Sequence, residues 1–294
     1  MSSSKPKSVF VTGASAGIGY ALSIEFAKKG YKVFAGARRL EKLKKLEEYG
    51  ITIVEFDILN TESINRAKNL ISKETDGELD ILFNNVGIAP SKNSIFDQDI
   101  KELRQGFETN YFGHVEVIQI FQTLILKSKG LVAFTDSVID LSPAPFTGAY
   151  AASKAAFHQL GESLALEVNP LGVKVVQVRT GRVESEIGGT EETPKPSKDS
   201  IYYLDEDTNI LYADFGDGQK ADVYAKNVIS DIEKVIRSKS TFYKVVYRGD
   251  KASTVGWISW LLPFSVWISN IISFLKLKEP FARVKAKLDH PKSS

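Results

Sequence analysis

The sequence lacks cysteine, and it contains only three histidines and one methionine among 294 residues. The absence of cysteine excludes disulfides, a thiol nucleophile and a zinc–thiolate site, and three scattered histidines predict no metal centre. Charge of one sign is also scarce, since the formal net charge is +2, which does not favour nucleic-acid binding. With 43% hydrophobic and 25% charged residues, the composition excludes intrinsic disorder and is typical of a globular chain.

Long hydrophobic runs are absent near the N-terminus, where only Val9–Val11 precedes a Thr-Gly pair. Three apolar residues are too few for a signal peptide, so the sequence predicts synthesis in the cytosol and a buried parallel strand here. The charge is spread unevenly along the chain. Residues 276–294 hold six Lys or Arg against two Asp or Glu, a net charge of +4, so the remainder is slightly acidic.

Short apolar runs alternate with helical patterns, which predicts an α/β fold with a doubly wound parallel sheet and helices on both faces. Ligands of such sheets bind at the carboxyl ends of the strands. We assign residues 1–250 to one Rossmann-type domain and residues 251–294 to a helical extension. Segment 188–222 is expected to be a lid over a substrate site, with a loose insertion as the alternative. The predicted strands are Ser8–Thr12, Lys32–Ala37, Thr52–Phe56, Ile81–Asn84, Leu131–Thr135 and Lys174–Arg179, and the predicted helices include Tyr20–Lys29, Leu40–Tyr49 and Ser63–Glu74.

A glycine-rich turn, T-G-A-S-A-G-I-G, follows the first predicted strand and opens a helix. Gly13 suits a tight turn, Gly17 lets the backbone approach a pyrophosphate, and Gly19 allows close helix–strand packing. The helix N-terminus presents amides and a positive dipole end to phosphate. The turn therefore predicts a dinucleotide site that also includes Ser15 and Ile18.

The same turn matches G-x-S-x-G, the nucleophile elbow of α/β-hydrolases. That elbow needs a histidine and an acid later in the chain, and none of His114, His158 and His290 is an obvious partner. Lipid ester hydrolysis by Ser15 stays open as an alternative function.

Two arginines, Arg38 and Arg39, follow the second predicted strand at the place where NAD-binding folds carry an acid for the ribose hydroxyls. Guanidinium groups bind a 2′-phosphate by paired charge-assisted hydrogen bonds, so NADP(H) is the expected cofactor. The alternative is that both arginines are only solvated. Asp57, after the third strand, is a candidate for the adenine, and Asn85 and Gly87, after the fourth, are expected to flank the adenosine.

A tyrosine and a lysine, Tyr150 and Lys154, are spaced four residues apart and so lie on one face of a predicted helix. A phenol has a pKa of about 10, and a nearby ammonium with an oxidised nicotinamide is expected to lower it. Tyr150 can then serve as general acid in carbonyl reduction. Ser137, just past the fifth strand, is expected to donate to the substrate carbonyl, and Asn110, in a helix pattern, to hold a water beside Lys154.

These motifs are similar to those of the short-chain dehydrogenase/reductase family over residues 8–187. The family's T-G-x-x-x-G-x-G, N-N-A-G and Y-x-x-x-K patterns are matched, the second with valine in place of alanine. The resemblance implies hydride transfer from NADPH to a carbonyl, with Tyr150 delivering the proton and Lys154 binding the nicotinamide ribose. It also implies catalytic roles for Ser137 and Asn110.

Two departures from the family pattern accompany this resemblance. The P-G pair after the sixth strand reads T-G, and the resemblance implies that Gly181, Val183 and Ser185 seat the nicotinamide carboxamide. Asp136 and Asp140 flank the catalytic serine, which is unusual for the family. A nucleotide-binding protein without catalysis therefore stays open as an alternative.

Residues 252–275 form an uncharged stretch that contains all three tryptophans. An apolar stripe at helical spacing indicates one amphipathic helix in a membrane interface, with the basic tail on anionic lipid. A membrane-spanning helix, a kinked hairpin, a soluble helix pair over the substrate pocket and a dimer contact are the alternatives. The stripe consists of Trp257, Trp260, Leu261, Phe264, Trp267, Ile268, Ile271, Ile272 and Leu275.

Several stretches, among them G-I-G-Y, A-R-R-L and N-Y-F-G-H, are similar to fungal family members that act on acyl-glycerone phosphate. The expected substrate is therefore a lipid-like ketone, foremost 1-acyl-glycerone-3-phosphate reduced to lysophosphatidate. A 17-ketosteroid or a retinoid is the alternative. The expected location is the cytosolic face of the endoplasmic reticulum membrane or a lipid droplet, with the cytoplasm as alternative. Family analogy also implies a homodimer through the helix after Tyr150.

Overall fold

A computed structural model of the chain describes residues 5–90, 92–142, 144–184, 195–205, 208–211 and 218–289. In these ranges seven strands form one sheet, and every neighbouring pair is parallel. The strands are β1 (Ser8–Thr12), β2 (Lys32–Ala37), β3 (Thr52–Glu55), β4 (Ile81–Asn84), β5 (Leu131–Ser137), β6 (Lys174–Thr180) and β7 (Tyr243–Arg248). Their order is β3-β2-β1-β4-β5-β6-β7, so the chain reverses its direction of strand addition between β3 and β4. The predicted doubly wound α/β fold is confirmed.

Helices cover both faces of the sheet. The helices are α1 (Gly17–Lys28), α2 (Thr61–Glu74), α3 (Ile100–Phe107), α4 (Gly113–Ser128), α5 (Gly148–Val168), α6 (Ala221–Arg237), α7 (Ala252–Leu261), α8 (Phe264–Phe274) and α9 (Lys278–Asp289). On one face, α1 and α6 bury side chains such as Phe26 and Tyr224 against the strands. On the other face, α2, α4 and α5 bury Ile64, Phe121 and Phe157. Apolar burial on both faces is why the strands are almost continuously hydrophobic.

The strand boundaries follow the sequence prediction closely, with small differences. β3 ends at Glu55, one residue early, whereas β5 and β6 run on to Ser137 and Thr180. The predicted helix over Leu40–Tyr49 is instead two short 3-10 turns, Leu40–Lys42 and Lys44–Tyr49. The second turn ends at Gly50, whose positive φ of 70° closes the turn before β3.

The seventh strand, β7, was missed by the sequence analysis. It pairs with β6 at the edge of the sheet, and most of its residues are only partly buried. An edge strand with one neighbour needs no continuous apolar run, so its pattern is weaker than that of the central strands.

The prediction of one continuous amphipathic helix over residues 252–275 was wrong. The segment is divided into α7 and α8 at Pro263, which stands as the N-cap of α8 with extended backbone. Proline lacks the amide that an interior helical position donates, so the helix must end before it. Within the described ranges, every helix is too short or too polar to cross a bilayer.

The carboxyl-terminal helices contact the rest of the chain through a third, small core. Leu275, Leu277 and Val284 pack with Ile210 and Leu211 of the predicted lid segment. Partly buried aromatic residues complete this cluster, and they are Phe146, Tyr202 and Phe281. The apolar stripe expected on a single helix is therefore split: its end is buried against the domain, and its tryptophan-bearing beginning in α7 is exposed.

Candidate active site

The glycine-rich turn lies between β1 and α1 in a conformation that requires glycine. Gly13 and Gly17 have positive φ values of 70° and 54°. A Cβ built on Gly19 would lie 2.3 Å from the Gly13 carbonyl oxygen, so α1 and β1 could not approach as they do with a side chain there. Ala16 caps α1 without a side-chain acceptor, which leaves the first amides of the helix to an anion. The turn thus fits a pyrophosphate.

Asn85 fixes the turn from the side. Its amide nitrogen donates to the carbonyl oxygens of Thr12 and Gly13 at 3.0 and 3.2 Å, and its amide oxygen accepts from the Thr135 hydroxyl at 2.9 Å. The side chain is buried by these contacts. The structure therefore gives Asn85 a role in holding β1, β4 and β5 together at their carboxyl ends, beside its predicted place at the adenosine.

The two arginines predicted to select the cofactor lie beside the turn. Arg38 and Arg39 directly follow β2 and are exposed. The Ala14 amide donates to the Gly36 carbonyl at 3.0 Å, which holds the turn against the end of β2. Asp57 follows β3 at the same edge. Two cations next to a phosphate-binding turn, with no acid at the end of β2, fit the extra phosphate of NADP(H).

Ser137 and Tyr150 come together at the carboxyl end of β5. Ser137 is the last residue of that strand, Tyr150 lies in the first turn of α5, and their hydroxyls are hydrogen-bonded. Burial raises the pKa of Tyr150 to about 12, opposed by the Ser137 hydrogen bond and reinforced by Asp136. The protein's own groups therefore do not lower the pKa of Tyr150 as expected, because desolvation outweighs the other effects. The phenol is held protonated, as a general acid for carbonyl reduction requires.

Lys154 lies one helical turn after Tyr150 and is 4% exposed. Its ammonium donates to the Thr135 carbonyl at 2.9 Å and lies 4.9 Å from the centroid of the Phe157 ring. Burial lowers its pKa to about 8, and the negative charges of Asp136 and then Asp140 oppose that effect. Tyr150 and Lys154 therefore lie one helical turn apart, as predicted. Whether the Lys154 ammonium keeps its charge depends on the balance between burial and the two aspartates.

Asn110 lies where a π-helical turn, Glu108–Phe112, interrupts the passage from α3 to α4, a difference from the regular helix that was predicted. Its amide nitrogen donates to the Ile88 carbonyl and its amide oxygen accepts from the Ile88 amide, both at 2.9 Å. A Cβ on Gly87 would lie 3.6 Å from both the Asn110 Oδ1 and the Lys154 Nζ. The structure thus brings Asn110 and Lys154 to the same loop, and the water between them stays a prediction.

The loop after β6 is narrow. A Cβ on Gly181 would lie 2.1 Å from the Asp250 carbonyl oxygen, so only glycine fits there. Val183 is buried and bridges to Gln219. Ser185 lies outside the described residues, as do 188–194, 206–207 and 212–217 of the predicted lid. The described part of that lid packs Tyr202 against Phe146, with ring centroids 5.3 Å apart, shortly before Tyr150 in the chain.

Both described histidines have partners other than Ser15. The His114 ring lies 3.2 Å from the Asn84 Oδ1 and 2.8 Å from the Val86 carbonyl, and burial lowers its pKa to about 3. The His158 Nδ1 lies 2.5 Å from the Asp136 Oδ2. Neither histidine is therefore placed to act as the base that hydrolysis by Ser15 requires. His290 lies outside the described residues.

The Asp136–His158 contact was missed by the sequence analysis. Helical spacing places Lys154, His158 and Glu162 on one face of α5, but it does not indicate that Asp136 of β5 lies beside them. Asp136, Asp140 and His158 bring three atoms able to bind a metal within 4.8 Å of one another. An Arg179–Asp140 ion pair at 2.6 Å already supplies positive charge to this group.

Comparisons with known proteins agree with this geometry. A family profile described as short chain dehydrogenase matches residues 7–195. The chain is 33% identical to the NADPH-dependent 1-acyldihydroxyacetone phosphate reductase of Saccharomyces cerevisiae, over 97% of this chain and 96% of that protein. It is 36% identical to the short-chain dehydrogenase PC-15 of Penicillium crustosum, over 87% of this chain and 93% of that protein.

A solved structure shows the same fold. The short chain dehydrogenase from Burkholderia cenocepacia in complex with NADP aligns with a TM-score of 0.71 at 22% identity, over 91% of this chain and 98% of that one. The expectations of an NADP-dependent oxidoreductase and of NADP(H) as its cofactor are confirmed. With the glycine-rich turn and the Ser137–Tyr150–Lys154 group in their places, the chain belongs to the short-chain dehydrogenase/reductase family.

Proposed function

We propose that this protein reduces a lipid-like ketone with NADPH, and that the ketone is 1-acyl-glycerone-3-phosphate, which becomes a lysophosphatidate. The observation that carries the proposal is the assembly of Ser137, Tyr150, Lys154 and Asn110 at the carboxyl end of β5. The choice of ketone is supported by the similar yeast protein, whose name states that activity.

In the proposed reaction each side chain has one step. The Ser137 hydroxyl donates a hydrogen bond to the substrate carbonyl oxygen. The carbonyl carbon accepts a hydride, which bound NADPH would supply. The Tyr150 hydroxyl, kept protonated by burial, gives its proton to the same oxygen as the alcohol forms. The Lys154 ammonium, one helical turn after Tyr150, stabilises the negative charge that the phenol gains by losing its proton.

Two cations at the same edge of the sheet suit the substrate phosphate. Arg182 directly follows Gly181 beyond β6, and Lys92 lies in the loop after β4, where the Asn93 amide donates to the Phe146 carbonyl at 3.1 Å. Burial and then the positive charge of Arg182 lower the pKa of Lys92, so the two side chains act on each other. A phosphate can accept charge-assisted hydrogen bonds from both side chains, whereas a steroid or retinoid carries no such group.

A substrate panel tests this choice. Purified protein with NADPH is given 1-acyl-glycerone phosphate, a 17-ketosteroid and retinal, and kcat/KM is compared. We expect the phosphate ketone to be preferred and Arg182→Ala to raise its KM by about tenfold, the worth of one charge-assisted hydrogen bond. Arg237→Ala, at the exposed end of α6, is the matched control and leaves KM unchanged. Preference for the steroid or retinal, or ester cleavage without nicotinamide, would contradict the proposal.

The proposal includes contact with a membrane or lipid droplet on its cytosolic face. Trp257 and Trp260 of α7 are 66% and 76% exposed, and the neighbouring Leu261 is also exposed. Clusters of exposed aromatic and aliphatic side chains bind the headgroup region of lipid, and the basic residues of α9 are suited to anionic lipid. Because α7 has only ten residues, the contact is with the surface of the lipid.

Sedimentation with vesicles tests the membrane contact. We expect the protein to sediment with vesicles that contain phosphatidylserine, and the double substitution Trp257→Ser and Trp260→Ser to release it. Leu166→Ser, an exposed apolar position on α5, serves as control and keeps the protein bound. Equal sedimentation of both variants would count against α7 as the contact. The homodimer through α5 stays a prediction, which analytical ultracentrifugation of the same samples tests.

A further inference from the structure

A buried pair of titratable side chains connects strand β5 to helix α5. Asp136 and His158 are 1% and 6% exposed, and the His158 Nδ1 lies 2.5 Å from the Asp136 Oδ2. The other ring nitrogen of His158 lies 3.5 Å from a Glu162 carboxylate oxygen, on the more exposed side of α5. The Asp136 Oδ1 has no hydrogen-bond partner among the described residues.

Charged and polar side chains of β6, β7 and the turn after β5 lie near the pair. Asp140 follows on the 3-10 turn after β5 and forms an ion pair with Arg179 of β6 at 2.6 Å. Arg179 also donates to the Tyr247 hydroxyl of β7 at 3.2 Å, and Tyr243 of the same strand donates to Gln177 at 2.6 Å. Gln177 in turn donates to the His158 carbonyl at 2.8 Å. This network contacts His158 through its carbonyl, and His158 in turn binds the Asp136 carboxylate.

The pair is connected to the catalytic residues through the backbone of β5. Asp136 stands between Thr135, whose carbonyl accepts the hydrogen bond from Lys154, and Ser137, whose hydroxyl binds Tyr150. Its charge is the largest effect opposing the loss of the Lys154 proton, and it also raises the pKa of Tyr150. One buried carboxylate thus acts on both proton-carrying groups of the site.

We propose that the Asp136–His158 pair is a positioning unit for the reductase: held in place behind Thr135 and Ser137, it keeps the buried Lys154 ammonium charged and the Tyr150 phenol protonated. This rests on the function proposed above. His158 orients the carboxylate by its hydrogen bond, since a buried polar group without a partner costs free energy. Neither residue touches the substrate.

A divalent cation is the other occupant that two aspartates and a histidine suggest. The Arg179 guanidinium bound to Asp140 argues against it, because a cation would have to displace or repel that charge. The positioning role therefore predicts that the chelator EDTA leaves activity unchanged.

The test uses the pH profile of kcat/KM for ketone reduction. In Asp136→Asn and Asp136→Ser, both Lys154 and Tyr150 lose an interaction that favours their protonated forms. The alkaline limb of the profile therefore moves to lower pH, by about one unit, the effect of one nearby charge. Asp231→Asn is the matched control: Asp231 is also buried and pairs with Arg248 at 2.5 Å, and its loss leaves the limb in place. His158→Asn, which keeps a donor near the Nδ1 position, is expected to retain the limb of the wild type.

A readout without turnover separates this proposal from the reductase assignment. Lysine labelled with 15N at Nζ, with Lys154→Met to assign the signal, reports the titration of Lys154 directly by NMR. We expect its midpoint to fall in Asp136→Ser and to stay in Asp231→Asn. An unchanged midpoint in folded Asp136→Ser, or activity abolished by EDTA, would overturn the proposal. A shifted midpoint in a protein that reduces no ketone would support the electrostatic role and overturn only the reductase assignment.

Discussion

The catalytic edge of the sheet and the carboxyl-terminal helix α7 distribute polar and apolar groups in opposite ways. At the catalytic edge, Asn110 and Lys154 are almost completely buried, and the backbone of Ile88 and Thr135 satisfies their polar groups. In α7, tryptophan side chains are largely exposed although the helix carries no charge. One region thus buries what usually faces water, and the other exposes what is usually buried.

The difference shows how each region acts. Burial of a charged group costs free energy unless partners hold it, and at the catalytic edge that cost shifts the pKa values of Lys154 and Tyr150 in opposite directions, to about 8 and about 12. Exposure of large apolar side chains to water costs free energy. That free energy is recovered when the side chains contact another apolar surface. The first arrangement suits proton chemistry, and the second suits docking.

The largest expected difference between the regions is in stability. Phe157 is fully buried beneath Lys154, with its ring 5.1 Å from that of Phe134, whereas Phe274 in α8 is 63% exposed. We expect Phe157→Ala to lower the free energy of unfolding by about 3–5 kcal/mol, the usual cost of removing a buried phenyl ring. Phe274→Ala is the control and should change it by about 0.5 kcal/mol or less. Urea unfolding measures both, and equal losses would contradict the comparison.

The next effect is on catalysis. Lys154→Met keeps an apolar stem of similar length but removes the ammonium that supports the phenol. We expect kcat to fall by about 10²-fold or more, the usual contribution of acid–base catalysis. Steady-state NADPH oxidation measures the loss, with Lys251→Met, at the start of α7, as control. A variant that keeps most of its kcat would show that the buried ammonium has no part in the reaction.

The smallest effect is on cofactor choice. The double substitution Arg38→Ala and Arg39→Ala removes the charges beside the glycine-rich turn. We expect the KM for NADPH to rise by about tenfold and the KM for NADH to change little, because only NADPH carries the 2′-phosphate. Lys45→Ala, an exposed cation one 3-10 turn further on, is the control. Parallel changes for both cofactors would mean that the arginines do not contact that phosphate.

The central strands, the glycine-rich turn and the catalytic residues were predictable because each is fixed by local sequence. A fully buried parallel strand must be apolar throughout, and the turn needs glycine at Gly13, Gly17 and Gly19 for steric reasons. Helical spacing places Tyr150 and Lys154 on one face of α5, whereas their catalytic roles come from the resemblance to the family and stay a prediction. The prediction of NADP(H) followed from Arg38 and Arg39 and the missing acid.

Other features depend on contacts distant in sequence. Nothing near Asp136 indicates that His158, 22 residues later, completes its hydrogen bond. The raised pKa of Tyr150 results from desolvation, which residue spacing does not report. Pro263 signals the division between α7 and α8, whereas the apolar stripe at helical spacing runs across it and predicts a single helix. No pattern in the sequence predicts that Leu275 packs against the lid segment.

The central claim is that the Tyr150 hydroxyl protonates a ketone reduced by NADPH. Tyr150→Phe removes that hydroxyl and keeps the ring, and its turnover of 1-acyl-glycerone phosphate is followed by the nicotinamide absorbance, with NADPH binding measured on the same sample. We predict that the variant binds NADPH as the wild type does and loses about 10²-fold or more in kcat. Turnover equal to that of the wild type would contradict the account.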